Sequence, residues 1–434
     1  MTAQPNSNAP PVALAQRYTQ VRTQTLALTV PLSEADCQVQ SMPDASPAKW
    51  HLAHVTWFFE TFVLERFERH FKPHHAAFRV LFNSYYNGVG EQHPRSQRGL
   101  ITRPTLAEVR AYRAAVDERV LTLMAQDPPA ELAALIELGL HHEQQHQELL
   151  LTDVLHLLSC NPLAPVYCAP WPLAPVAPVP LAWLPNVGGL VDVGHGGEVF
   201  AFDNEGPRHP QWLQPHALAN RLITHGEWAD FIADAGYRNP RWWLAAGWDW
   251  VRNQGIEAPL YWQRGAQGGW CSFTLHGLVP IDPHTPITHI SLYEADAYAR
   301  WASAQWGLPL RLPTEFEWEH AAAGLGAPAI ETGNFVESQA LHPLPVARAA
   351  KGPLQMFGDV WEWTSSSYAA YPGYRSAEGA VGEYNGKFMV NQVVLRGGSC
   401  ATPRSHIRAS YRNFFPAEAR WQFNGLRLAC DAAG

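Results

Sequence analysis

Residues 141–148 read HHEQQHQE, eight polar side chains in a row, between the apolar runs IELGL and LLLTDVLHLL. Flanks of that kind predict one long helix, Glu131 to Leu158, buried on several faces. Buried polar groups are costly without partners, so this block must find partners inside the fold. His142 and His146 are four residues apart and share a helical face. Two imidazoles stacked at that spacing suit a metal ion. His141 falls on a neighbouring face and is expected to support the site rather than ligate. A second apolar helix, Ala48 to Phe67, carries His51 and His54. His54 lies deeper in it and is the expected third ligand. His51 is nearer the helix start and is expected to be solvated.

Two further helices are predicted, Pro11 to Leu28 and Thr105 to Gln126. The second opens with TLAE, a capping-box pattern. Ser46-Pro47 supplies a cap and first position for the helix at Ala48. Four helices with one long connection, residues 68–104, predict a four-helix bundle over residues 1–160. Eight prolines between Pro162 and Pro185 mark residues 161–185 as an extended linker. They also rule out a membrane helix in the long uncharged stretch from Cys160 to Val191. Residues 186–434 are richer in Gly, Trp and Pro, and only Ser291 to Trp306 and Glu315 to Ala323 look helical. The fold class expected is therefore α+β and multidomain.

Composition narrows the function classes. With 47% apolar and 16% charged residues in 434, the chain is neither disordered nor a coiled coil. A net charge of −8 without a basic block argues against nucleic acid as a partner. Six cysteines without a CxxC pattern are too sparse for a disulfide framework. They fit a reducing compartment, and the start MTAQPNSNAPP shows no secretory signal, so the expected location is cytoplasmic. The oligomeric state stays open.

Two chemistries compete at the histidines. His142-Glu143-Gln144-Gln145-His146 matches H-E-x-x-H, in which Glu143 would be the general base of a zinc hydrolase. Alternatively, His54, His142 and His146 hold an iron with open positions for substrate and oxygen. Three neutral ligands keep the metal more positive, which favours a thiolate. Spacing leaves both open.

Larger motifs add a resemblance. HLAHVTWFFE, FNSYYNGVGEQHPRSQRG, HHEQQHQELL and SYRNFFPAEARWQFNGLRLA together resemble the ergothioneine-pathway sulfoxide synthases. RLPTEFEWEHAAAG (311–324), GDVWEWTSS (358–366) and RGGSC (396–400) resemble the formylglycine-generating-enzyme, or sulfatase-modifying-factor, domain. The resemblance runs from about residue 13 to 430. It implies an N-terminal DinB-like four-helix bundle and a C-terminal C-type-lectin-like domain over residues 186–434. It implies one Fe(II) held by His54, His142 and His146. The reaction it implies joins a thiol sulfur to C2 of the imidazole of hercynine, a trimethylated histidine, with O2 as oxidant and a sulfoxide as product.

The resemblance also implies roles for other residues. Tyr85 and Tyr86 would be catalytic, as proton or hydrogen-atom donors; another branch places its tyrosine in the C-terminal domain, where Tyr384 in GEYNGKF is the nearest candidate. Arg95 and Arg98, three apart in a loop, would bind the carboxylates of the thiol substrate. Gln145 would meet the substrate imidazole. Asn413 would lie near the quaternary ammonium, with Phe414 and Phe415 offering aromatic faces. Asp44 would be an acid behind the site or a helix cap. Branches that use γ-glutamylcysteine carry Trp-Asp where this chain has Phe414-Phe415, so free cysteine is the preferred thiol expected here. A sibling reaction with a selenium donor, giving selenoneine, is the alternative within the family. Cys400 and Cys430 do not have the spacing of a formylglycine generator's reactive pair. The C-terminal motifs are therefore expected to be structural and the domain a substrate-binding shell.

Overall fold

The computed structural model describes residues 11–126, 129–172, 176–197, 199–347 and 351–431. The chain divides into two compact units. One holds residues 1–163 with two later segments, 196–203 and 375–387. The other holds residues 164–195, 204–374 and 388–434. The division expected from composition is contiguous, whereas these units are not. Aromatic contacts explain the difference: Phe200 stacks on His141 at 4.0 Å, and Tyr384 stacks on Phe202 at 5.3 Å.

The first unit is built on α1 (Pro11–Ala27), α2 (Ala48–Phe58), α3 (Leu106–Met124) and α4 (Ala130–Ser159). These match the four predicted helices to within a few residues, apart from the C-terminal part of the second. There the chain runs from α2 through a π-helical stretch, Phe59–Leu64, and a last turn, Glu65–Phe67. The wider turn carries Glu60, which accepts from the Tyr112 hydroxyl at 2.6 Å and the His74 N–H at 2.7 Å. The capping box at Thr105 is formed. Its hydroxyl accepts the Glu108 N–H at 3.2 Å, and the Glu108 carboxylate accepts the Thr105 N–H at 2.6 Å.

The expected cap at Ser46 is not formed. Pro47 occupies the cap position of α2 without a side-chain bond. Ser46 instead donates its N–H to Asp153 at 2.8 Å and accepts from Arg98 at 2.9 Å. Every residue of α2 is buried. α4 packs on both α1 and α2, and α3 packs on α2. Gly139 permits the close approach: a Cβ there would lie 2.6 Å from the Phe59 ring.

The second unit contains two four-stranded sheets among the described residues. One runs β1 (Trp183–Asn186), β4 (His216–Ala219), β13 (Ala429–Asp431), β8 (Leu310–Arg311), all antiparallel. The other runs β11 (Asn413–Phe415), β10 (Val393–Arg396), β9 (Trp361–Ser367), β12 (Asn424–Gly425), with only the β9–β12 pair parallel. β2 (Gly189–Val193) pairs with β3 (His209–Leu213), and β5 (Trp262–Arg264), β6 (Trp270–Thr274) and β7 (Gly277–Pro280) form a small meander. α5 (Leu292–Trp306) and α6 (Glu315–Ala323) each open with a capping box, Ser291 with Glu294 and Thr314 with Glu317. In the Pro-rich stretch, the N–H groups of Tyr167 and Cys168 donate to the Leu275 carbonyl at 2.9 and 3.1 Å. Cys400 and Cys430 are both buried free thiols.

Buried ion pairs tie this irregular unit together. Arg427 grips Glu362 of the WEW motif with two bonds of 2.9 Å, and both side chains are fully buried. Arg396 of RGGSC donates to Glu315 at 2.7 Å and Glu319 at 2.9 Å, while Arg412 makes two further bonds to Glu315. The motifs expected to be structural are used in this way. Removing one partner from such a pair leaves a buried charge uncompensated, at a cost of ~3–5 kcal/mol. Glu362→Ala is therefore expected to lower the unfolding free energy by about that amount in urea titrations followed by tryptophan fluorescence. A loss below about 1 kcal/mol would match an exposed pair instead.

Candidate metal centre

α2 supplies His54, and α4 supplies His142 and His146. Their ligand nitrogens all lie within 4.8 Å of one another. His54 Nε2 is 3.2 Å from His142 Nε2. Proton positions follow from the groups behind each ring. His54 Nδ1 lies 2.6 Å from the Phe82 carbonyl oxygen, which can only accept. The proton of neutral His54 is therefore on Nδ1, and Nε2 presents a lone pair.

A longer chain of partners sets His146. Asp153 Oδ2 lies 3.0 Å from His51 Nε2, and His51 Nδ1 lies 2.9 Å from His146 Nδ1. The carboxylate accepts from His51 Nε2–H, so His51 Nδ1 accepts from His146 Nδ1–H. His146 Nε2 is then a bare acceptor. His142 Nδ1 has no hydrogen-bond partner and can hold that ring's proton, leaving Nε2 for a ligand bond.

Burial keeps these rings neutral. It pushes His142 down to about 3. It also holds His54 and His146 well below the usual histidine range, reinforced by the neighbouring imidazoles. The His54 ring is stacked between Trp50 at 4.6 Å and Trp57 at 5.6 Å. Three neutral imidazoles converging in an apolar shell, two with tautomers fixed from behind, fit a metal ion.

Glu143 is not part of this centre. It points to the opposite network, accepting from Arg22 at 2.8 Å, from Thr25 at 2.5 Å and from Arg113. Burial alone would raise its pKa, but the guanidiniums of Arg113 and Arg22 outweigh that and hold the carboxyl at about 2. A carboxylate committed to two arginines cannot be the base of a zinc hydrolase, so the H-E-x-x-H reading is overturned. The pattern fixes sequence spacing but not what the intervening residue faces.

Other expected residues fall out as follows. His51 is buried and bonded, not solvated. His141 supports the fold, with Nε2 2.7 Å from the Arg17 guanidinium. Asp44 is exposed and meets Arg95 through its backbone carbonyl; it neither caps α2 nor reaches the histidines. The acid behind the centre is Asp153. Arg95 is exposed and Arg98 buried, both on a 3₁₀ turn, Arg95–Leu100, rather than an irregular loop. Arg98 lies over the Trp50 ring at 3.4 Å, and burial, reinforced by Arg95, pushes its pKa down to about 9.

The tyrosines gather beside the centre. The Tyr384 ring meets His142 edge-on at 5.6 Å and Tyr85 at 6.3 Å, and Tyr85 stacks on Tyr86 at 4.7 Å. Burial raises both Tyr85 and Tyr86 above the usual tyrosine range. Gln145 is half-buried on α4. Asn413, Phe414 and Phe415 form β11 of the second unit, where Phe414 stacks on Tyr368 at 4.0 Å and the Asn413 side chain accepts the Phe414 N–H at 2.9 Å.

Asp153 and the bonded role of His51 are not among the residues expected from the sequence. The signals were present: Asp153 is the lone acid in LLLTDVLHLL, two helical turns after His146 and so on its face.

Residues 17–150 match the DinB superfamily, and residues 185–432 match the sulfatase-modifying factor enzyme 1-like domain. The chain is 33% identical to the hercynine oxygenase of Mycolicibacterium thermoresistibile, over 96% of this chain and 94% of that one. It is 32% identical to the hercynine oxygenase of Mycobacterium tuberculosis, over 97% and 99% of the two chains. Ergothioneine biosynthesis protein 1 of Schizosaccharomyces pombe is 28% identical over 53% of this chain and 27% of its own length.

Two outcomes are expected of the centre. Asp153→Ala, which removes the acceptor for His51 Nε2–H and so the chain that sets His146, should weaken metal binding about 10- to 100-fold by anaerobic titration. Unchanged affinity would separate Asp153 from the centre. In the metal-free protein, native His142 binds fewer protons than an unfolded histidine with pKa about 6.5. Stability should therefore be complete above about pH 6.5 and fall below it, by of order 1 kcal/mol per pH unit for this group. Denaturation at pH 7 and pH 5 should show that slope reduced in His142→Leu.

Proposed function

The chain belongs to the hercynine oxygenase family, and on that premise we propose that it is an iron(II)- and O2-dependent sulfoxide synthase of ergothioneine biosynthesis. It joins the sulfur of a small thiol, cysteine in preference to γ-glutamylcysteine, to C2 of the hercynine imidazole. The observation that carries this reading is the convergence of His54, His142 and His146 in the interior beside the rings of Tyr384, Tyr85 and Tyr86. Iron held by these three nitrogens would supply the redox chemistry that uses O2 as oxidant.

The chain's own residues supply the rest. The Arg98 guanidinium, held by Ser46 and Trp50, is a fixed positive charge for the thiol substrate's carboxylate. Arg95, on the same turn, is exposed and offers a second fork. Tyr384 lies against a histidine ligand and can deliver a proton there, with Tyr85 and Tyr86 behind it. Buried tyrosines whose pKa values are raised donate protons at neutral pH and do not act as bases. The apolar walls, Trp50 and Trp57, exclude water around His54. Gln145, on the helix of His142 and His146, is the proposed contact to the hercynine imidazole.

The test is direct. Protein loaded anaerobically with iron(II) receives hercynine and cysteine, then O2, and mass spectrometry looks for the coupled sulfoxide. Product is expected with cysteine and less with γ-glutamylcysteine. Arg98→Leu should raise KM for the thiol about 10- to 100-fold, the cost of one charged hydrogen bond, while KM for hercynine holds. No coupled product from either thiol at full iron loading would overturn the reading.

A further inference from the structure

The segment that brings Tyr384 to the centre has little regular structure of its own. It consists of two short 3₁₀ turns, Ala380–Glu383 and Gly386–Phe388, with Tyr384 directly after the first. Side-chain bonds therefore have to hold it. Glu383 Oε2 accepts the Asn87 N–H at 3.0 Å, and Oε1 accepts the Gly88 N–H at 2.7 Å. Lys387 donates to Glu383 at 3.0 Å and to the Tyr85 carbonyl. Asn385 donates to Asp203 at 2.7 Å.

The partner surface is itself braced. Asn83 donates to the carbonyls of Tyr86 at 3.0 Å and Gly90 at 3.2 Å and accepts the Tyr86 N–H at 3.1 Å. A Cβ at Gly88 would press on the latch, lying 2.9 Å from Glu383 Oε1 and 3.3 Å from the Ala380 Cβ. The same turn carries Tyr85 and Tyr86.

We propose that Glu383 is a positioning residue: it latches residues 380–387 onto the turn at Asn87 and Gly88 and so holds the Tyr384 ring against His142. A carboxylate that accepts two adjacent backbone N–H groups makes charge-assisted bonds, about twice as strong as neutral ones. Tyr384 follows Glu383 directly, so a shift of the latch moves the ring. The catalytic consequence rests on the oxygenase reading, whereas the latch itself does not.

The experiment uses the full chain with 3-fluorotyrosine at position 384, read by fluorine NMR with and without metal, alongside steady-state kinetics. The wild type should give one resonance displaced from that of free fluorotyrosine by the neighbouring rings. In Glu383→Ala it should move to the solvent-exposed position. In the unlabelled variant kcat should fall about 10- to 100-fold, with iron affinity and KM for hercynine within about twofold of wild type. Glu383→Gln, which keeps one acceptor, should recover part of both. Gly88→Ala reaches the same latch from the other side and should reproduce both changes if Glu383→Ala fails to fold. An unmoved resonance in both variants, or a moved resonance with unchanged kcat, would overturn the proposal. A wild type that makes no sulfoxide would instead sink the oxygenase reading, and the resonance would still decide the latch.

Discussion

Three imidazole lone pairs meet in a protein interior, and the arrangement of the helical unit follows from making that tolerable. A buried polar group left unpaired costs about 1–3 kcal/mol. Here the outward nitrogens of His54 and His146 are occupied by Phe82 and by the His51–Asp153 pair. The inward nitrogens face one another, which suits a cation better than any protein donor. Aromatic rings fill the remaining space, with Trp50 and Trp57 on the two sides of His54. The rear nitrogens of His54 and His146 are thus committed to protein partners, and the surrounding apolar packing must offset the cost of burying three imidazoles.

The same helix carries a second polar cluster that is kept separate. Glu143 is next to His142 in sequence, yet about 100° further round the helix. It faces α1 and α3, where Arg22 and Arg113 neutralise it and Arg22 also bonds Asp117 at 2.6 Å. One cluster on α4 is neutral and the other is a balanced set of charges. The periodicity of the helix lets the polar block 141–148 serve both.

Much of this was legible in the sequence. The i,i+4 histidines inside apolar flanks, and a third histidine on a second apolar helix, pointed to the three converging residues. The capping box at Thr105 and the long fourth helix were equally local signals. What was not legible depends on tertiary neighbours. Nearness to a helix start suggests a solvated His51, but Asp153 and His146, both on α4, occupy its two ring nitrogens. Asp44 is exposed before α2 and meets Arg95 through its backbone carbonyl, while the distant Asp153 bonds His51 behind the histidines. Glu143 matched a catalytic pattern, and only the arginines of α1 and α3 show that it is structural. No local pattern announced that residues 375–387 would join the helical unit, because their attachment is made by Glu383 and Lys387 on a turn almost three hundred residues earlier.

As proposed, the metal centre consists of three histidines and no carboxylate. X-ray absorption at the iron edge of the anaerobically loaded protein tests it most directly. One iron per chain with the scattering of three imidazole rings is expected, the same in Glu143→Gln. Scattering from two imidazoles and a carboxylate, or a spectrum that changes when Glu143 is replaced, would contradict it.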